Sequence, residues 1–157
     1  MGLKLSEFKE SHGKEVCSWK YEGQYSIYNF PQWDIVVKNN WAITNKEKRE
    51  KEFLSVLDVE DNYCGYVRLQ DKGDHILIGL GLKPSSCGHG LGRELMEILI
   101  DYCHENYPDK KLSLEVRGFN KRAIKCYERA GFKVVKTYHK DTPIGPGEFI
   151  YMEYLLH

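Results

Sequence analysis

Three glycines at alternate positions, Gly88, Gly90 and Gly92, stand where a strand-like apolar run gives way to helical spacing. The segment reads Leu80-Gly81-Leu82-Lys83-Pro84-Ser85-Ser86-Cys87-Gly88-His89-Gly90-Leu91-Gly92-Arg93. Such a turn suits a pyrophosphate. Glycines let the backbone approach closely in unusual dihedrals, and the free N–H groups and positive dipole end of the next helix face a bound anion. The spacing excludes two commoner phosphate binders: it lacks the Lys-Ser/Thr ending of a P-loop, and G-x-G-x-G is not the G-x-G-x-x-G of a dinucleotide fold. A tight turn with no ligand is the other reading of the same residues.

Little else in the chain has chemical spacing. His12, His75, His104, His139 and His157 share no metal-ligand spacing, and Cys17, Cys64, Cys87, Cys103 and Cys126 include no C-x-x-C pair. No metal is expected, and the cysteines read as reduced thiols. His89, inside the glycine turn, either contacts a phosphate or is a solvated loop residue.

The elements that must position the turn become legible from Glu52 onward. Phe53 to Leu57 and Tyr63 to Leu69 are strand-like runs around the turn-rich Asp58 to Asn62, which predicts a hairpin. His75 to Leu82 is apolar on both faces, as in a central strand, and its two glycines suggest a bulge or close backbone approach. Leu91, Leu95, Ile98, Leu99 and Tyr102 then recur at helical spacing up to Asn106-Tyr107-Pro108. Lys111 to Arg117 alternates as a half-buried strand with Glu115 and Arg117 on the face opposite Leu114 and Val116. Asn120 is placed to cap a helix through Ala123, Ile124 and Tyr127 that stops at Gly131. Phe132 to Tyr138 and Glu148 to Leu156 close the chain as strands, and Met1 to Phe8 is a candidate edge strand. The first fifty residues, with Trp19, Trp33, Trp41, Tyr21, Tyr25 and Tyr28 among polar residues, suggest one or two short helices. The order predicts one α/β (α+β layered) domain, residues 1–157, on a mixed sheet.

Cys87-Gly88-His89-Gly90-Leu91-Gly92 resembles the coenzyme A signature R/Q-x-x-G-x-G/A of the GCN5-related N-acetyltransferase (GNAT) superfamily, with Cys87 where arginine or glutamine is usual. Leu114-Glu115-Val116-Arg117-x-x-Asn120-x-x-Ala123-x-x-x-Tyr127-x-x-x-Gly131-Phe132 is similar to that superfamily's second block. The resemblance covers roughly residues 52 to 156. It implies a sheet of six to seven strands with about four helices, splayed between the strands at 75–83 and 111–117, with the pantetheine arm of acetyl-CoA in the gap. It further implies that Leu80 and Leu82 offer backbone to that arm, that Cys87, Gly88, His89, Gly90, Leu91, Gly92 and Arg93 hold the pyrophosphate, and that Asn120 touches the arm, though Asn120 also serves as a plain cap.

By the same resemblance Tyr127 is the candidate general acid toward the departing thiolate, against a tyrosine merely packed on its helix. Glu115 looks like the glutamate assigned as base in the ribosomal-protein N-terminal acetyltransferase branch; the alternative is a carboxylate paired with Arg117 or another strand's cation. The implied enzyme transfers acetyl from acetyl-CoA to a primary amine. A small-molecule amine is slightly favoured over a peptide N-terminus because the aromatic region from Trp19 to Trp41 lies where the superfamily builds part of its acceptor pocket. A non-catalytic CoA-binding or sensor domain, and an unrelated phosphate-binding α/β domain, remain alternatives.

Composition narrows the partners. With 23 basic and 23 acidic side chains the net charge is zero, so bulk electrostatics favours neither nucleic acid nor a membrane surface. Residues 1–80 carry 11 basic against 13 acidic side chains and residues 81–157 carry 12 against 10, a slight tilt toward an anionic ligand in the second half. The charged start and the lack of a membrane-length apolar run point to a cytoplasmic protein. The mostly apolar last strand, Phe149 to Leu156, offers a surface for a homodimer.

Overall fold

The computed structural model describes residues 2–155. Its strands are β1 (Lys4–Glu7), β2 (Phe53–Leu57), β3 (Tyr63–Asp71), β4 (His75–Leu82), β5 (Lys111–Arg117), β6 (Phe132–Thr142) and β7 (Gly145–Tyr154). The α-helices are α1 (Glu10–Val16), α2 (Trp33–Lys38), α3 (Lys46–Glu52), α4 (Leu91–Asn106) and α5 (Lys121–Ala130), with short 3-10 turns at Gly23–Tyr28, Ala42–Thr44 and Pro84–Ser86. Hydrogen bonding links the strands into an open mixed sheet in the order β1-β2-β3-β4-β5-β7-β6. Among the described residues no helix is long and apolar enough to cross a membrane.

The chain forms two compact units, the first running to Arg68 and including Leu80–Leu91, the second comprising Leu69–Gly79 and the chain from Gly92 onward. In the first unit, β1, β2 and β3 pair antiparallel, from Lys4 opposite Leu57 and Phe53 opposite Arg68. The expected edge strand is therefore present over Lys4–Glu7, Met1 lying outside the described residues. The first fifty residues form more helix than one or two pieces. Their irregular 3-10 turns lack the 3.6 period that would reveal them in sequence. Phe8, Val16, Trp19, Ile43 and Phe53 form the unit's buried cluster, with Tyr21, Phe30, Trp33, Trp41, Tyr63 and Tyr66 packed against it. Trp19 is thus a core side chain, and its indole N–H is satisfied by Glu15 Oε2 at 3.1 Å.

In the second unit the parallel ladder of β4 with β5 runs from His75 opposite Lys111 to Ile78 opposite Leu114. β5 then pairs antiparallel with β7, and β7 with β6. Leu112, Leu114 and Val116 are buried as the alternation requires. The buried stripe of α4 is Leu95, Met96, Leu99, Ile100 and Cys103, so Ile98 and Tyr102 flank it instead of lying on it. β6 and β7 extend further toward each other than Tyr138 and Glu148, because Pro146 pairs with Asp141 beyond the end of the β5 ladder at Arg117–Phe149. There β7 has an open side, where proline's missing N–H breaks no ladder. Leu156 of the expected last strand lies outside the described residues.

Candidate active site

In the first unit the glycine-rich turn leads from β4 to α4. Gly88 (φ +80°) and Gly90 (φ +76°) occupy the left-handed region, which an L side chain would strain, and a Cβ at either would project into open space. Among the described residues the amides of Gly88, His89 and Gly90 donate to no backbone acceptor. These unengaged amides stand directly ahead of the sixteen-residue α4, whose first-turn N–H groups also lack intrahelical partners. Such a turn fits an anion such as a pyrophosphate. Glu94 in the first turn complements the same dipole end.

Cys87 does not point into that cradle. Its thiol is directed back to the end of β4, 3.6 Å from the Lys83 carbonyl and 3.9 Å from that of Leu82. The Leu82 carbonyl also accepts a hydrogen bond from Tyr21 Oη at 2.5 Å, so it is already engaged on one side. Burial pushes the Tyr21 phenol well above its ordinary value, with Tyr66 and Cys87 nearby adding to it. It stays a neutral donor. Next to this strand end, Tyr66 lies over Gly81, where a Cβ would approach Tyr66 Cε1 to 2.7 Å. Leu80 is half-buried and His89 exposed.

In the second unit, Gly92 faces α5: a Cβ there would lie 3.4 Å from Cys126 Sγ, an ordinary contact. Arg93 is on the surface, its Nε 3.8 Å from Glu97 Oε1 one turn on. Asn120 caps α5, accepting from the Ala123 amide at 3.2 Å, and Gly131 ends it in the left-handed conformation (φ +113°). Tyr127 sits half-buried on that helix.

Glu115 is held by two side chains. Its Oε2 accepts a hydrogen bond from Tyr138 Oη, and its Oε1 lies 2.6 Å from Lys140 Nζ. Both partners come from β6, across the intervening β7. The paired cation is Lys140; the Arg117 guanidinium instead stacks 4.7 Å from the centre of Phe149. Burial, then the hydrogen bond to Glu115, raises the Tyr138 phenol above the ordinary tyrosine range. The carboxylate is a polar acceptor with two of its roughly four lone-pair sites used. Among the described residues no group of three or more His, Cys, Asp or Glu is gathered to hold a metal.

The family profile described as the acetyltransferase (GNAT) family matches residues 14–132. The chain belongs to this family. Among curated proteins, this GNAT chain is similar to the kanamycin resistance protein of Rhizobium radiobacter, 37% identical over 66 residues, which are 42% of this chain and 59% of that protein. The segments it shares with mycothiol and aminoglycoside N(6')-acetyltransferases cover 18% to 32% of those proteins. Among solved structures it is similar to a chimera of spermidine N-acetyltransferase SpeG from Vibrio cholerae with hSSAT, at TM-score 0.80 and 20% identity over 99% of this chain and 96% of that one. The ribosomal-protein-S18-alanine N-acetyltransferase of Escherichia coli superposes with TM-score 0.68 at 20% identity, over 97% and 92% of the two chains. At such identities the likeness speaks for the GNAT fold. Lys140 is the other-strand cation anticipated as an alternative partner of Glu115, whereas nothing in the sequence marks Tyr138 and Tyr21 as neighbours of the site residues. Alternation along β6 would have put Tyr138 and Lys140 on one face, but only the β5-β7-β6 order brings that face to Glu115.

Proposed function

We propose that residues 1–157 act as one acetyl-CoA-dependent N-acetyltransferase domain that acylates a primary amine, a small-molecule amine ahead of a peptide N-terminus. The observation that carries this reading is the turn ahead of α4, where left-handed Gly88 and Gly90 leave three amides unengaged in a GNAT chain. Acetyl-CoA supplies an activated acetyl thioester whose carbonyl carbon the amine nitrogen attacks. Gly88 to Gly92 donate their amides to the pyrophosphate oxygens, with His89, Leu91 and Arg93 at the rim. Leu80 and Leu82 offer backbone to the pantetheine arm, the Leu82 carbonyl already accepting one hydrogen bond from Tyr21. Asn120 contacts the arm while capping α5.

The amine must be neutral to attack. One with a pKa of about 10.4 is neutral in about one molecule per thousand near pH 7.4, a deficit of about 4 kcal/mol, whereas an α-amine near 8 is roughly one-fifth neutral. Glu115 takes the amine's proton, directly or through water, at the acceptor sites that Tyr138 and Lys140 leave open. Tyr127 gives its phenolic proton to the departing sulfur as the carbon–sulfur bond breaks. That transfer is uphill by about 2 kcal/mol for a phenol near 10 and a thiol near 8.5, within what a tuned site offsets. Tyr21, Trp33 and Trp41 pack on the first unit's core without being fully buried, and their remaining surface is available to a small acceptor.

The test is thermal stabilisation by acetyl-CoA, CoA, ATP and NAD. Ligand that binds only the folded chain adds about 2.7 kcal/mol at a hundredfold excess over Kd. Both CoA species are expected to raise Tm and the two nucleotides to leave it unchanged; a response to ATP or NAD without one to CoA contradicts the reading.

A further inference from the structure

Glu115 sits among cations. On the same face of the β5-β7-β6 sheet lie Arg117, Lys136 and Lys140, by the alternation of each strand and the pairing of Glu115 with Tyr151, Lys136 with Tyr151 and Arg117 with Phe149. Lys140 neutralises Glu115 at 2.6 Å. The other two have aromatic beds: the Arg117 guanidinium is 4.7 Å from the Phe149 centre, and Lys136 Nζ is 5.3 Å from the Tyr151 centre and 5.7 Å from that of Tyr138. Among the described residues neither forms an ion pair. Cation–π contact fixes a charged group in place without cancelling its charge. Two positive charges without an ion-pair partner among the described residues are therefore held beside Glu115, on a face where β7 also places Glu153, opposite Ser113 and Lys133.

We propose that the acceptor amine carries an anionic group, a carboxylate or phosphate a few bonds from the nitrogen, which Arg117 and Lys136 hold while the amine faces Glu115. The proposal rests on the N-acetyltransferase reading and on Glu115 as the group that meets the amine. A guanidinium offers a bidentate fork to a carboxylate or phosphate, and an ammonium a point charge beside it. The same two cations repel a polyamine or aminoglycoside, so this chain discriminates against the acceptors named for spermidine N-acetyltransferase and aminoglycoside N(6')-acetyltransferase. A small anionic amine suits the face better than a nucleic acid, because the cations surround a carboxylate that a phosphate backbone would have to approach.

Matched amines decide it: O-phosphoethanolamine against ethanolamine, β-alanine against β-alaninamide, and spermidine. Each is assayed by thiol release with acetyl-CoA for the wild type and for the R117Q/K136Q double variant. The wild type is expected to show kcat/KM at least tenfold higher for the anionic member of each pair than for its neutral counterpart or for spermidine. The double variant is expected to bring that ratio near one, chiefly through KM, while CoA still raises its Tm, which shows that it is folded. Wild-type preference for neutral amines or spermidine, an unchanged ratio in the double variant, or CoA binding with no transfer to any anionic amine overturns the proposal. So does retention of a labelled oligonucleotide by the wild type and not by the double variant without an anionic preference, which would give the face to nucleic acid. No CoA response in the wild type is a separate failure, that of the enzymatic reading beneath it.

Discussion

Lys140 Nζ lies 2.6 Å from Glu115 Oε1, although the two residues belong to strands separated by β7. With Tyr138 on the other oxygen, the carboxylate has a fixed orientation on a face it shares with Arg117, Lys136 and Lys140. Its position is set by the sheet, not by its neighbours in sequence.

A base that must be deprotonated gives activity that falls toward acid. Glu115→Gln is expected to lower kcat/KM roughly a hundredfold, at the low end of general-base effects, and to remove the acidic limb of the pH–rate profile. A variant with wild-type kcat and an unchanged limb discards the base role.

Tyr127 acts only as the thiolate leaves, so its removal should separate chemistry from binding. Tyr127→Phe is expected to lower kcat about a hundredfold while the Tm shift given by CoA stays as in the wild type. Equal losses in kcat and CoA affinity would mark Tyr127 as a packing residue of α5.

Gly90 at φ +76° has open space around its missing Cβ, so a Gly90→Ala change meets no clash and pays only backbone strain. That strain is about 1–2 kcal/mol, or a Tm lower by about 2–8 °C in a chain of this size. The turn relieves it by moving its amides, and CoA affinity is expected to drop at least tenfold. An unaltered affinity would show that these amides hold no pyrophosphate.

Much of this architecture could be read from local signals. Asn120 and Gly131 bracket α5 through a side-chain cap and a left-handed stop, which need only neighbouring residues. The strand at Lys111–Arg117 follows from simple alternation, and the glycine turn from its spacing. What stayed hidden depends on distant pairing. The partners of Glu115 lie 23 and 25 residues away, and the hydrogen bond from Tyr21 to the Leu82 carbonyl spans 61 residues. The hairpin ends of β6 and β7 were masked by Pro143, Gly145, Pro146 and Gly147, which signal a loop until the open side of β7 is known.

Phenols raised by burial link stability to alkaline pH. Burial raises Tyr66 to about 12 and lifts Tyr21, Tyr63 and Tyr138 above the ordinary range, Tyr138 also through its bond to Glu115. A raised folded-state value favours the protonated native form. The contribution is full below the unfolded value of about 10 and is lost as pH climbs toward the folded values. Urea midpoints are expected to fall between about pH 10 and 12, with a shallower fall in Tyr138→Phe; midpoints flat across that range would contradict it.

Thiol release from acetyl-CoA in the presence of an amine panel tests the central claim most directly. Amine-dependent release with a matching acetylated product is predicted, absent in the no-amine control and sharply reduced in Tyr127→Phe. CoA binding without release on any amine would make the chain a CoA-binding domain of the GNAT fold and not a transferase.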